Sequence, residues 1–341
     1  AIVMATMYFP FSLIFFSHIL AATLLFGAFY KIFQIKNNLA KLQNGNLFAV
    51  GFLLGMAIIT EYTTAIIVVC LVLYYFYIVW RRAGIRNIWI ILIPFIGGLI
   101  PILIHLIYNF RCFDTYFTFP YSYHVNEDFK NGMSQGFMGI HMPSIKVLFY
   151  LTFHPAMGIF WQSPVLLLVP IGLIGMWKNI EYRTETILIM TIAIIMLLIN
   201  SGYYMWWGGW SFAPRHLLPM LPFLALSYIF IPKKLVPVGI ILGVISLIQM
   251  MMVSIVRVDV DDALMIQIGQ MSFFEYSTIY SVIMPNLQAQ YTAINIGKMV
   301  NIDGLLSVLP VVVFMVIMLV VIIKVAITAD RRENSQPLLI D

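Results

Sequence analysis

Read for the spacing of apolar and polar positions, the chain is a succession of long apolar runs separated by short polar breaks. Apolar runs of about 17–25 residues cross a bilayer as helices. The pattern predicts crossings at Leu13–Gln34, Trp89–Tyr108, Ile159–Trp177, Thr184–Ser201, Leu217–Ile231, Leu235–Ile255 and Leu305–Val325. The run Leu47–Trp80 is too long for one crossing and too short for two full ones. Lys36 and Lys41 precede it, and Arg81, Arg82 and Arg86 follow it. Because cytoplasmic loops carry the excess of Lys and Arg, both of its ends belong on the cytoplasmic side. Two short helices meeting at Thr60-Glu61-Tyr62 satisfy that requirement. The expected fold is an all-α polytopic membrane protein of about nine transmembrane helices, two of which form this short-helix hairpin. A single long tilted helix would invert everything downstream and erase the charge asymmetry.

With the hairpin, Lys31, Lys178, Arg183, Lys233, Lys234, Lys324, Arg331 and Arg332 join the flanking residues on the cytoplasmic side. Arg111, Lys130, Lys146, Arg215, Arg257 and Lys298 fall on the other. Three segments then face outward: Asn109–Gly158, Gly202–His216 and Arg257–Gly304. Within the first, "MPSIKVLFYLTFHP" has the pattern of an amphipathic helix lying in the interface. No repeat of fixed period, low-complexity linker or second soluble domain interrupts the pattern, so residues 1–341 are expected to form a single transmembrane domain.

Composition narrows the class. Only 10% of the residues are charged and 62% are hydrophobic, against roughly 25% charged in soluble domains. A soluble fold is excluded, and the lipid bilayer is the partner this implies. The net charge of +5 is dispersed between the apolar runs and forms no dense patch, which argues against nucleic acid. Cys70 and Cys112 stand in unrelated contexts and suggest neither a disulfide framework nor a metal site. The opening Ala-Ile-Val-Met has no initiator Met and no basic region before the apolar run, so it does not read as a signal peptide. It reads as an entry into the middle of a larger membrane protein.

The densest chemistry lies in "YYMWWGGWSFAPRHLLPMLPFLAL", Tyr203–Leu226. Arg215 precedes a short apolar segment whose Pro219 and Pro222 fall near its first turns, where proline is least disruptive. One reading of Arg215 is a snorkelling anchor. The other is a phosphate site: a guanidinium fork fits phosphate oxygens in pairs, and a helix N-terminus adds unpaired N–H groups. His216 supplies a second donor. Trp206, Trp207 and Trp210, with Tyr203 and Tyr204, fit either an interfacial belt or a platform for the C–H face of a sugar. The Gly208-Gly209 pair points to a tight turn or to close approach of backbone to a ligand. Glu61 is an ionisable group inside an apolar run, functional by default, with helix capping as its plainer role. His18 reads as a satisfied interior histidine, Arg111 and Asp114 as a pair, and Asp259, Asp261 and Asp262 as a solvated face or a cation site. Walker A, GxGxxG, HExxH and paired CxxC motifs are absent from the sequence. Support for ATP-driven transport by this chain alone, and for soluble nucleotide-sugar chemistry, falls accordingly.

"WWGGWSFAPRHLLPMLPFLAL" resembles the Trp-Gly-Gly-x-x-x-Gly-Pro-Arg stretch of polytopic glycosyltransferases of the GT-C class, closest to bacterial and archaeal members related to the protein mannosyltransferases. In the same order, "YFPFSLIFFSHILAATLLFGAFY" is similar to their Tyr-Ser…His helix and "GFLLGMAIITEYTTAIIV" to their short-helix hairpin. "YNFRCFDTYFTFPYSY" is similar to their next external stretch and "GIFWQSPVLLLVPIGLIGMW" to their Ser-Pro span. The likeness covers Tyr8 to Phe230, with Ala213 where the family usually has Gly. It implies transfer of a sugar from a polyprenyl-phosphate donor to an acceptor on the outer face, with inversion, in the bacterial or archaeal cytoplasmic (inner) membrane.

Combined with the residues, the resemblance implies that Arg215 and His216 hold the donor phosphate, and that Trp207, Trp210, Tyr121, Tyr123 and Glu61 meet the sugar or substrate. It also implies a general-base Asp in a first external loop, expected upstream of Ala1. The catalytic residue is then unknown within this chain, which would be the C-terminal portion of a GT-C-like fold. Whether a divalent metal takes part stays open. Two other classes compete: a non-catalytic structural subunit with partners in a membrane complex, and a transporter or flippase for lipid-linked sugar. The transporter reading calls for broken helices in symmetric repeats, and Leu47–Trp80 has no counterpart later in the chain.

Overall fold

The computed structural model describes residues 3–83, 89–209, 211–259 and 277–335, and among these every extended element is helical. Six helical stretches are long and apolar enough to cross a membrane: Ser17–Lys36, Tyr62–Arg82, Trp89–Phe113, Ile180–Gly202, Lys233–Val256 and Gly304–Val325. The chain is a membrane protein of helical class. Three further apolar helices, Asn44–Thr60, Pro164–Lys178 and Arg215–Phe230, fall short of that length, so six crossings rather than nine meet it among the described residues.

The shortfall has a cause in the sequence. The expected span Leu217–Ile231 becomes a 3₁₀ turn at Arg215–Met220, an α-helix at Leu221–Ala225 and a second 3₁₀ turn at Leu226–Phe230. Pro214, Pro219 and Pro222 each lack an N–H donor, which breaks the regular i→i−4 ladder. Ile159–Trp177 divides in the same way at Ser163-Pro164, into Ile159–Gln162, Pro164–Leu168 and Val169–Lys178. A helix forms over Ile145–Thr152, within the stretch read as amphipathic, started by Ser144, whose Oγ accepts from Val147 N.

We number the helices α1 (Tyr8–Ser12), α2 (Ser17–Lys36), α3 (Asn44–Thr60), α4 (Ala65–Ala83) and α5 (Trp89–Phe113). The hairpin expected between Leu47 and Trp80 is the α3–α4 pair. Its break falls at Glu61, whose backbone is extended (φ −155°, ψ 110°). Threonine hydroxyls add second donors to carbonyls at this end of α3 and at the break itself. Thr60 Oγ1 donates to Met56 O at 2.7 Å, and Thr64 Oγ1 lies 3.0 Å from Ala57 O and 2.7 Å from Glu61 O. The two legs line a common apolar cavity with α5, with Val50, Leu54 and Ile58 facing Val68, Val72 and Tyr75.

Backbone meets backbone between α3 and α5. A Cβ on Gly51 would sit 1.7 Å from Pro94 O, and one on Gly55 would sit 2.4 Å from Gly98 O. Small residues spaced four apart let membrane helices approach this closely, where dispersion replaces the hydrophobic effect as the source of association. At the far end of α2 a buried ion pair closes the bundle. Lys36 Nζ lies 2.8 Å from Glu185 Oε2 and donates to Glu181 O at 2.6 Å, while Tyr74 OH donates to Glu185 Oε1. Glu185 belongs to the helix Arg183–Gly202 and its side chain is 1% exposed. Between these two contacts the core is aromatic. Phe29 stacks on Tyr74 at 5.9 Å and meets Phe223 edge-on at 5.6 Å.

Four stability outcomes follow. Gly55→Leu should cost about 3 kcal/mol or prevent folding, because the clash is with backbone and cannot be relieved by a rotamer change. Gly45→Ala, at a position with nothing within 4 Å, should leave the melting temperature in detergent nearly unchanged. Lys36→Met should destabilise by about 3 kcal/mol because it strands a buried carboxylate. Adding Glu185→Leu should restore part of that loss, as read from the same melting curves.

Candidate functional site

At the end of α2 opposite the Lys36–Glu185 pair, the α3–α4 break, the start of α2 and the segment after Gly202 enclose a cavity of 510 Å³. Its lining includes Ser17, His18, Glu61, Tyr62, Thr63, Tyr121, Tyr203, Arg215 and His216. Four of these positions are set by helix ends. Glu61 is the residue where α3 stops, Ser17 and His18 open α2, and Arg215 opens the 3₁₀ turn that the prolines impose.

The Glu61 carboxylate is well held. Ser17 Oγ donates to Oε2 at 2.8 Å and Thr63 Oγ1 donates to Oε1 at 3.2 Å. His18 Nδ1 lies 3.2 Å from Oε2, near enough for an ion pair but out of line for a hydrogen bond. Both side chains are less than one-tenth exposed. The His18 ring stands edge-on to His216 at 5.1 Å.

The opposing wall is cationic and under-partnered. The Arg215 guanidinium lies 4.8 Å above the Phe16 ring, a cation–π contact, and its buried Nε has no hydrogen-bond partner among the described residues. Both ring nitrogens of His216 are buried and equally unpartnered there. Buried polar atoms are ordinarily satisfied, so several orphans around one cavity single it out as the candidate site. Tyr121 and Tyr203 add hydroxyls. Burial first, with the Glu61 carboxylate and neighbouring phenols behind it, pushes both well above the ordinary phenol range, against an opposing pull from Arg215 on Tyr121. They therefore remain neutral O–H groups at physiological pH.

The turn before Arg215 accounts for the glycine pair. Gly208 and Gly209 have φ of +94° and +67°, a region that favours glycine. A Cβ on Gly208 would sit 2.8 Å from Ala213 O, and Ser211 Oγ bridges Gly208 O at 3.1 Å and Ala213 O at 2.9 Å. The glycines thus serve the tight turn of the two roles open to them, and the turn folds back on Arg215 itself. From the other side, the loop that follows α5 lies over the cavity. Tyr204 N donates to Gly139 O and His141 N to Gly202 O, both at 2.8 Å. Those bonds place Phe129, Met133, Phe137, Met138 and Ile140 along the cavity wall.

The sequence-predicted residues separate into two groups. Arg215, His216, Glu61 and Tyr121 come together around the cavity. Trp207 and Tyr123 do not line it. Trp207 packs edge-on against Trp206 at 5.8 Å, and Trp206 in turn stacks on Tyr150 at 5.6 Å. Tyr123 stacks on Phe113 at 4.4 Å and is half exposed. Trp210, Asp261 and Asp262 lie outside the described residues.

Comparisons with protein-family models, curated proteins and solved structures return no match for this chain.

The remaining candidates are occupied elsewhere. Asp259 is held by Arg257 through contacts of 3.0 and 2.9 Å, and that hydrogen-bonded guanidinium keeps its carboxyl below the usual carboxylate range. Arg111 and Asp114 form no ion pair with each other among the described residues. No group of three His, Cys, Asp or Glu side chains among the described residues fits a metal ion. His18 is the residue that sequence reasoning set aside and the fold brings into the site. Its signal was present in the spacing: Ser17 and His18 begin a helix, where one side chain can meet a ligand while its neighbour fixes a partner.

Proposed function

We propose that this chain is the membrane-embedded part of a polytopic glycosyltransferase of the GT-C class, taking a sugar from a polyprenyl-phosphate donor to an acceptor at the outer face of a bacterial or archaeal cytoplasmic membrane. The observation that carries the reading is the unpartnered Arg215–His216 wall facing a cavity large enough for a small ligand. A phosphate diester is singly charged, and its oxygens suit a guanidinium fork in a partly dry site. As the bond to the sugar breaks, the leaving phosphate gains charge, and a fixed cation is worth most at that moment. The aromatic lining, with Phe16, Tyr62, Tyr121 and Tyr203, suits the apolar faces of a sugar.

On this reading the three shorter apolar helices also traverse the membrane, which gives nine crossings in one domain. The cavity then opens on the outer face, with the Lys36–Glu185 pair toward the cytoplasm. The same wall would serve a lipid-linked-sugar carrier, and turnover separates the two.

The first test is binding of farnesyl phosphate to the purified protein, followed by its release from farnesyl-phosphoryl mannose, glucose and arabinose. Wild-type protein should bind farnesyl phosphate, and Arg215→Lys should weaken binding by about tenfold or more through loss of the fork. If Arg215→Ala and wild type bind it equally, the phosphate role of Arg215 is wrong. Sidedness has its own test. Cys112 is exposed and Cys70 is buried. A membrane-impermeant maleimide should label Cys112 in intact cells and leave Cys70 unmodified; labelling of Cys112 only after permeabilisation would invert the topology.

A further inference from the structure

A second cavity, of 540 Å³, shares no lining residue with the Arg215 site. It runs along the helix Val236–Val256, where Leu235, Gly239, Gly243 and Leu247 follow one another at the four-residue spacing of a single helix face. Val165, Leu168 and Tyr228 close the far side. An added Cβ on Gly239 would meet the tip of Leu168 at 3.2 Å, and one on Gly243 would meet Val165 at 3.9 Å. These glycines therefore hollow the helix face, whereas Gly51 and Gly55 seat α3 on backbone. Val236, Ile240 and Val244 form the next row and are exposed, so the groove opens on the flank of a helix long and apolar enough to cross a membrane.

Shape and polarity both limit the occupant. From Leu235 to Leu247 the helix rises about 18 Å, which leaves a mean cross-section of roughly 30 Å² for the volume of 540 Å³. A helix about 10 Å across needs more than twice that section. A single hydrocarbon chain fits along the groove and a second helix does not. Tyr228 is the one polar side chain of the lining, and its hydroxyl already donates to Val165 O at 2.6 Å. The occupant is apolar over the length of the groove. Charge is confined to one end. Lys233 and Lys234 stand between the lining residues Ile231 and Leu235, exposed and without an ion pair among the described residues. Gly175 packs on Phe230, where an added Cβ would sit 2.3 Å from the carbonyl oxygen, and the exposed Lys178 follows one turn later. Tyr182 meets Phe230 at 5.2 Å, so its neighbour Glu181 brings one carboxylate to this end, while Glu185 is paired with Lys36.

We infer that the groove holds one acyl chain of an anionic phospholipid, with Lys233 and Lys234 on its phosphate headgroup. A zwitterionic lipid offers the same chain but cancels its own phosphate charge, and basic residues beside membrane helices select anionic headgroups. The inference needs the helical membrane class of the chain and does not rest on the glycosyl-phosphate reading.

Native mass spectrometry of the full chain in detergent, with added dioleoyl phosphatidylglycerol or dioleoyl phosphatidylcholine, tests it. Wild type should retain one phosphatidylglycerol about tenfold or more tightly than phosphatidylcholine. Gly243→Leu fills the groove from a position with room for the side chain, and it should abolish the retained lipid while the lipid-free protein still melts cooperatively. Lys233→Gln combined with Lys234→Gln should leave the lipid-free melting temperature unchanged and remove the preference for phosphatidylglycerol. The site is overturned if Gly243→Leu retains phosphatidylglycerol as wild type does, if the double lysine variant keeps the preference, or if wild type retains neither lipid. If Gly243→Leu does not fold, the double lysine variant decides alone. Displacement of phosphatidylglycerol by farnesyl phosphate that persists in Arg215→Lys also overturns the assignment, because the groove then belongs to the polyprenyl chain. A dimer mass that disappears in Gly243→Leu overturns it in favour of a second copy.

Discussion

The site depends on one buried carboxylate. Placing Glu61 between two apolar helices takes its charge out of water, a cost of several kcal/mol unless neighbours replace the lost hydration. Ser17 and Thr63 supply hydroxyls from either side, and His18 closes on the same oxygen as Ser17. That requirement pins the first turn of α2 to the end of α3. Because α3 is seated on α5 through Gly51 and Gly55 with almost no freedom to slide, the break cannot drift along the bundle. Glu61 and Arg215 both reach the cavity without forming an ion pair. Each lowers the electrostatic cost of the other across the gap, and neither is used up by doing so.

The bundle holds a second buried carboxylate, and the contrast is informative. Glu185 has a lysine at 2.8 Å and a tyrosine hydroxyl on its other oxygen, and the lysine's remaining reach goes to a carbonyl and two aromatic rings. Every polar atom there is engaged, as in a contact whose task is to join α2, α4 and the helix Arg183–Gly202. Around Arg215 and His216 the same kinds of groups are left incomplete. Residue type alone would rank both clusters as buried charges in a membrane protein. What separates them is whether the chain itself completes the hydrogen bonds.

How much of this was legible from the sequence depended on range. The hairpin was readable, because charge asymmetry and length together demanded a break near Thr60-Glu61-Tyr62, and the chain turns at Glu61. Arg215 was readable as a lone cation at the mouth of an apolar segment. Helix length was not, because hydropathy counts apolar residues and is blind to Pro164, Pro219 and Pro222, which shorten the regular ladder without lowering hydropathy much. The aromatics misled for a related reason. Trp206 and Trp207 are spent on Tyr150 and on each other, while the cavity draws Phe16, Tyr62 and Tyr203 from three distant segments. The loop over the cavity has no periodicity to read. It is fixed by Tyr204 lying against Gly132 and Gly139, where a Cβ would come within 2.2 and 2.5 Å of the ring.

The proline-broken segment also changes what Arg215 offers. A long helix would present a strong partial charge at its first turn, whereas Arg215–Met220 is a 3₁₀ turn leading into a five-residue helix. The aligned dipole is short, and the case for an anion at this point rests on the side chains instead. The guanidinium is held over Phe16 at 4.8 Å, and the Gly209 turn lies beside it, an added Cβ there falling at ordinary contact distance, 3.5 Å, from Nη2. Phe16 is the residue before the Ser17-His18 start of α2, so the support of the cation and the support of the carboxylate are consecutive in the chain. A shift of α2 would therefore disturb the support of the cation and of the carboxylate at once.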